Sequence, residues 1–233
     1  MTLEPREWLR RGGLRGAELL EWLGEHIPAG RDAAFERLLG IDQPPAALAN
    51  AASPGESRMP YMPSAIAPIV RAVLDVPVTP DDVFVDLGAG LGKVAMAVNL
   101  LTGARTRGVE MQPALVAAAR AQATELGLHG VTFVEGDALD ADLDDATVVF
   151  LYLPFTGEVL AGVLRRLEAV ARRRQLAVCA LGLELRGADW LVPRPTHEFW
   201  LSIYDSQIPG AAPRVRRAPL PLAALGEAIA RER

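Results

Sequence analysis

Three carboxylates and an alternating run of glycines are the residues of this chain whose types and spacing can do chemistry. The stretch "VFVDLGAGLGKV", residues 83 to 94, leads an apolar run into Asp86 and then places glycine at 88, 90 and 92. An acid at the end of an apolar strand can face an ammonium, and glycines beside it let the main chain pass a ligand with no Cβ in the way. Glu110, in "TRGVEMQP", follows 24 residues after Asp86, near the separation at which a nucleotide-binding acid accepts both ribose hydroxyls. Met111 beside it can lie on an adenine face. Asp137, in "FVEGDAL", can accept from an adenine amino group while the Ala138 N–H donates to a ring nitrogen.

The spacing separates the ligands such a turn can serve. A dinucleotide fingerprint needs glycine at its first, third and sixth positions, and the sixth position counted from Gly88 is Lys93. A phosphate-binding P-loop needs a hydroxyl residue after the lysine, and Val94 stands there. What remains is a nucleoside with an amino-acid tail and no phosphate, which is the chemistry of S-adenosylmethionine. Gly88 and Gly90 would skirt it, Asp86 would face its ammonium, Glu110 its ribose, and Met111, Asp137 and Ala138 its adenine. Read one at a time, these residues are turns, caps and core. Acids at the ends of three successive strands, one of them followed by bare main chain, are what the crevice of an open α/β sheet requires.

The elements that must position these residues are legible as short β-branched runs alternating with longer Ala- and Leu-rich segments, the pattern of a parallel sheet with crossover helices. Strands are expected at 83–87, 105–110, 131–135, 147–151 and 175–181. Between them lie the helical stretches "KVAMAVNLLTG", "PALVAAARAQATELG" and "GEVLAGVLRRLEAVARRR". "PSAIAPIVRAVLDV" reads as a further helix despite Pro68. "DWLVPRPTHEFWLSIYDS" reads as a closing antiparallel hairpin, with Phe199, Leu201 and Ile203 on one face of its second arm and Trp200, Ser202 and Tyr204 on the other. Residues 1–60 form a helical cap and loop, with Leu19, Leu23 and Ile27 on one helix face. Residues 61–205 form the cofactor-binding domain, and 206–233 a linker with a short terminal helix.

Composition bounds the function. The 233 residues are 50% hydrophobic and carry a net charge of −5, enough for one good-sized core and without the basic field that nucleic acid demands. No nucleic acid and no membrane are expected as partners. The single cysteine, Cys179, excludes an internal disulfide framework and fits a reducing cytoplasm. Lys93 is the only lysine among 24 basic residues, a bias expected of a GC-rich bacterial genome. No cluster of His, Cys and Asp has metal-ligand spacing, so no metal is expected.

The motifs "VDLGAGLGKV", "GVEMQ", "VTFVEGDAL" and "DATVVFLYLPF" together resemble those of the class I, seven-stranded S-adenosylmethionine-dependent methyltransferases, over about residues 58 to 205. The resemblance implies a Rossmann-like α/β sheet of order 3-2-1-4-5-7-6, mostly parallel, with helices on both faces. "MPYMPSAIAPIVRAVL" before the first strand is similar to the seven-stranded lysine N-methyltransferases, in which a Tyr-x-Pro-Ser/Thr segment folds over the methionine end of the cofactor. Tyr61 and Ser64 would take that role.

After the fourth strand this chain has Tyr152-Leu153-Pro154-Phe155. Related enzymes acting on planar amines and amides often carry Asn/Asp-Pro-Pro-Tyr/Phe there. The leading amide or acid is absent here, which argues against base nitrogens and glutamine amides as acceptors. Aromatic faces suit a cationic amine or sulfonium, and Tyr152 and Phe155 are the candidates for the wall at which the methyl is transferred. The expected activity is methyl transfer to an amine such as a protein lysine. N- or O-methylation of a small metabolite is the alternative, and a binding protein without turnover ranks below both.

Overall fold

The computed structural model describes residues 4–26, 32–43, 62–152, 156–196 and 198–211. Five strands run parallel: β1 (Val83–Leu87), β2 (Arg105–Glu110), β3 (Val131–Glu135), β4 (Val148–Tyr152) and β5 (Ala177–Leu181). β6 (Leu191–Arg194) and β7 (Leu201–Ser206) close the sheet as an antiparallel pair, with β7 inserted next to β5. The order is β3-β2-β1-β4-β5-β7-β6, as the resemblance implies. β1 and β5 are buried at every position, because helices cover both faces, and so their sequences read as unbroken apolar runs. β4 begins one residue later than expected: the Thr147 hydroxyl accepts from Val83 N and donates to Asp82, serving the strand's entrance. β6 lies at an edge, where Pro193 withholds no bond that a central strand would need.

The crossovers are α5 (Lys93–Thr102), α6 (Pro113–Glu125) and α7 (Gly157–Ala171). α4 (Ile66–Asp75) precedes the sheet, and Pro68 falls in its first turn, where a missing N–H leaves no bond unmade. Alternation along the strands divides the interior into two cores. Phe84 and Phe150 face α4, α5 and α6, whereas Val83, Val85, Leu87, Val149 and Leu151 face α7. Each such fully buried side chain contributes about 1.5–3 kcal/mol by leaving water.

The N-terminal helices α1 (Pro5–Arg10), α2 (Ala17–His26) and α3 (Asp32–Leu39) insert Leu9, Leu19, Leu23, Phe35 and Leu39 into the first of these cores. Leu19 and Leu23 share the expected buried face, and Ile27 lies outside the described residues. Arg6 and Arg10 tie α1 to Glu125 of α6. The expected alternation in the last arm holds for Leu201 and Ile203, which are buried, but not for Phe199. That residue precedes β7 in a turn and is 81% exposed. The expected terminal helix and most of the linker lie outside the described residues. Cys179 is buried in β5, and among the described residues no helix is long and apolar enough to cross a membrane.

Candidate functional site

The C-terminal ends of β1, β2 and β3 are laced together by backbone. Val109 O accepts from both Gly88 N, at 2.9 Å, and Ala89 N, at 3.0 Å, and Glu110 O accepts from Gly136 N at 3.0 Å. The turn after β1 needs left-handed backbone at Gly90 (φ 54°) and Gly92 (φ 79°). At Gly92 a Cβ would also stand 2.3 Å from the Phe133 ring, so this glycine serves packing of the turn against β3. Glu110 is buried and pins the turn with its side chain. Oε2 accepts from Gly90 N at 3.0 Å and Oε1 from Gln112 N at 2.9 Å.

Asp86 lies beside this clamp, only 2% exposed, and its Oδ2 has no hydrogen-bond partner among the described residues. Burial first, and the Glu110 charge second, push its carboxyl up to about 8. A buried acid without a donor is costly to keep ionised, and a ligand ammonium at this point would satisfy it. That orphaned oxygen, with a bare turn on one side and a second carboxylate on the other, fits the ammonium and ribose of S-adenosylmethionine.

Beyond the end of β3, Asp137 caps a short 3-10 helix (Ala138–Asp140), and its Oδ1 accepts from Leu139 N at 3.0 Å. Arg166 of α7 donates to Leu139 O and Ala141 O and so holds that segment from beneath. Met111, 45% exposed, stands at the open side. The structure thus aligns Asp86, Gly88, Gly90, Glu110, Met111, Asp137 and Ala138 along three neighbouring strand ends.

Tyr152 ends β4 and borders a separate concavity of about 460 Å³, whose other walls are Ala65, Ala67 and Pro68 of the α4 entrance, Leu181 at the end of β5 with Gly182 after it, and Glu198 and Trp200 before β7. Ser64 is buried beside it in sequence. Tyr61 and Phe155 lie outside the described residues. Glu198 and Trp200 were not among the residues expected here. The adjacency of an acid and two aromatics in "HEFW" was the available signal. Glu198 also borders a larger hollow of about 760 Å³ along β6 and β7.

A protein-family profile described as a methyltransferase domain matches residues 84–174. An RNA methyltransferase from Salinibacter ruber, in complex with S-adenosyl-L-homocysteine, is 30% identical, with 66% of this chain and 98% of that chain covered and a TM-score of 0.51. An S-adenosylmethionine-dependent methyltransferase from Geobacter sulfurreducens, also with S-adenosyl-L-homocysteine, is 25% identical over 48% of this chain and 47% of that one, with a TM-score of 0.41. A putative methyltransferase, yhhF, from Escherichia coli is 18% identical over 60% and 84%, with a TM-score of 0.49. No curated protein matches the chain.

Proposed function

Because the chain belongs to the class I S-adenosylmethionine-dependent methyltransferases, we propose that its methyl acceptor is an amine, presented as the lysine side chain of a protein. The observation that carries this reading is the cavity at the end of β4, where Tyr152, Trp200 and Glu198 surround a space otherwise walled by small apolar groups. Aromatic faces and a carboxylate attract an ammonium, whereas a phosphodiester would meet like charge. The similarity of the segment from Tyr61 to Ser64 to lysine N-methyltransferases points the same way.

Bound S-adenosylmethionine supplies a methyl group on a positively charged sulfur. Asp86 is assigned to its ammonium and Glu110 to its ribose hydroxyls. Asp137, Ala138 and Met111 are assigned to adenine, and Tyr61 and Ser64 to the methionine end. Gly88 and Gly90 leave the space beside it free. The acceptor would lose its proton to solvent and attack as the neutral amine, the new N–C bond forming in line as the S–C bond breaks and the sulfur leaves as a thioether, so the chain's task is alignment and exclusion of water. Tyr152 and Phe155 would flank the incoming nitrogen, and the Ala65, Ala67 and Pro68 wall would keep water away from it.

Two other acceptors each have an observation in their favour. The cavity volume lies within the range of small-molecule sites, which suits N- or O-methylation of a metabolite. The Salinibacter ruber relative is an RNA methyltransferase, although a net charge of −5 weighs against a polyanion here. Incubation with methyl-tritiated S-adenosylmethionine and cell extract, followed by fractionation, separates the three. Label recovered as N-methyllysine from hydrolysed protein is the expected result. Label confined to RNA or to the low-mass fraction would overturn the amine-in-protein reading.

A further inference from the structure

Lys93 is the first residue of α5, directly after the glycine turn, and is 4% exposed. A cation is poorly placed at that end of a helix, where the peptide dipoles already present positive charge. Its Nζ nevertheless donates to Asp32 Oδ1 at 2.6 Å and to Glu36 Oε1 at 2.8 Å, both on α3. The same Asp32 Oδ1 accepts from Ile66 N at 2.7 Å. α4 has no cap of its own, since Ala65 offers no side-chain acceptor, and Asp32 supplies one from another helix. A single carboxylate oxygen therefore joins the helix that ends the cofactor turn to the helix whose entrance, with Ala65, Ala67 and Pro68, walls the cavity beside Tyr152.

Docking of the N-terminal helices does not require this arrangement. Their leucines and Phe35 already lie in the main core, Arg6 and Arg10 reach Glu125, and Gly16 N donates to Leu100 O. A buried lysine held against the helix dipole is a poor choice for a mere fastening. We infer that Lys93 and Asp32 are positioning residues, which fix the α4 entrance relative to the glycine turn so that the methionine end of the cofactor meets a preset wall. The inference rests on the crevice assigned above to the cofactor and is independent of the acceptor.

The test compares two carboxylates on one ammonium. Asp32→Ala and Glu36→Ala each remove one partner of Lys93, but only the first releases Ile66. S-adenosylhomocysteine affinity is measured by calorimetry, and exchange of the Ile66 amide is followed with and without that ligand. Asp32→Ala is expected to raise the Kd about tenfold and to abolish ligand-induced protection of Ile66, with Glu36→Ala within about twofold of the unaltered protein in Kd, a difference typical of coupled sites. Asp32→Asn, which keeps an acceptor for Ile66 and loses the charge, provides a milder variant should the alanine form fold poorly. It is expected to retain Ile66 protection and to bind more weakly than Glu36→Ala. Equal responses of the Asp32 and Glu36 variants, with ligand binding intact in the unaltered protein, would overturn the positioning role alone. Failure of the unaltered protein to bind the ligand would overturn both this role and the crevice assignment.

Discussion

Asp86→Asn is expected to flatten the pH dependence of both stability and cofactor binding. In the ligand-free protein the Asp86 carboxyl titrates near 8, raised from 3.8 by burial and then by the Glu110 charge. The folded state therefore holds a proton that the unfolded chain releases between these values. The stability this group contributes is fully present below pH 3.8 and is lost as pH rises through about 8. At roughly 1.4 kcal/mol per pH unit, that interval amounts to something on the order of 6 kcal/mol. A ligand ammonium beside Oδ2 favours the ionised form, so binding near pH 6.5, where the ligand amine is already protonated, should expel about one proton. Calorimetry with S-adenosylhomocysteine in buffers of different ionisation enthalpy reads that number directly. Thermal melts from about pH 5 to pH 9 should slope downward for the unaltered protein and less for Asp86→Asn. Identical binding heats in all buffers near pH 6.5, or an unchanged slope in the variant, would refute the placement of Asp86 against the ammonium.

Glu110→Ala removes the acceptor for Gly90 N and Gln112 N together with the proposed ribose partner, and should weaken S-adenosylhomocysteine by about 1–3 kcal/mol in calorimetry. Gly92→Ala must hold a side chain at φ 79° with its Cβ 2.3 Å from the Phe133 ring, and is expected to lower the denaturation midpoint, by an amount corresponding to about 1–3 kcal/mol. Trp200→Ala should leave S-adenosylhomocysteine affinity unchanged while slowing methylation of the acceptor by about tenfold, the scale of a lost cation–π contact with an amine.

What the sequence reveals of this site depends on how far apart the cooperating residues lie. Each acid assigned to the cofactor lies at or just beyond the end of a strand, Asp86 one residue before the end of β1, Glu110 at the end of β2 and Asp137 two residues past β3, so the three stand out one strand at a time. Strand order is different: a run such as Val83–Leu87 announces burial on both faces but not its neighbours, and the order came from resemblance to a family. Glu198 and Trp200 carry no site motif in the sequence because they share a cavity with Tyr152 only through the insertion of β7 beside β5, a long-range antiparallel pairing. The link from Lys93 to Asp32 spans 61 residues and joins elements with no shared pattern. The sequence places Phe199 on a strand face because the alternation in "EFWLSIYDS" extends upstream of β7, which starts at Leu201.

The burial of Lys93 has a bearing on how the enzyme behaves toward itself. With no other lysine in the sequence and this one buried against α3, the protein offers the proposed lysine-directed activity no free ε-amino group. Tritium appearing in the enzyme's own band would then report something other than lysine self-modification, and background in a substrate screen should be correspondingly low. Amine-directed dyes and cross-linkers, for the same reason, will find little on its surface to react with.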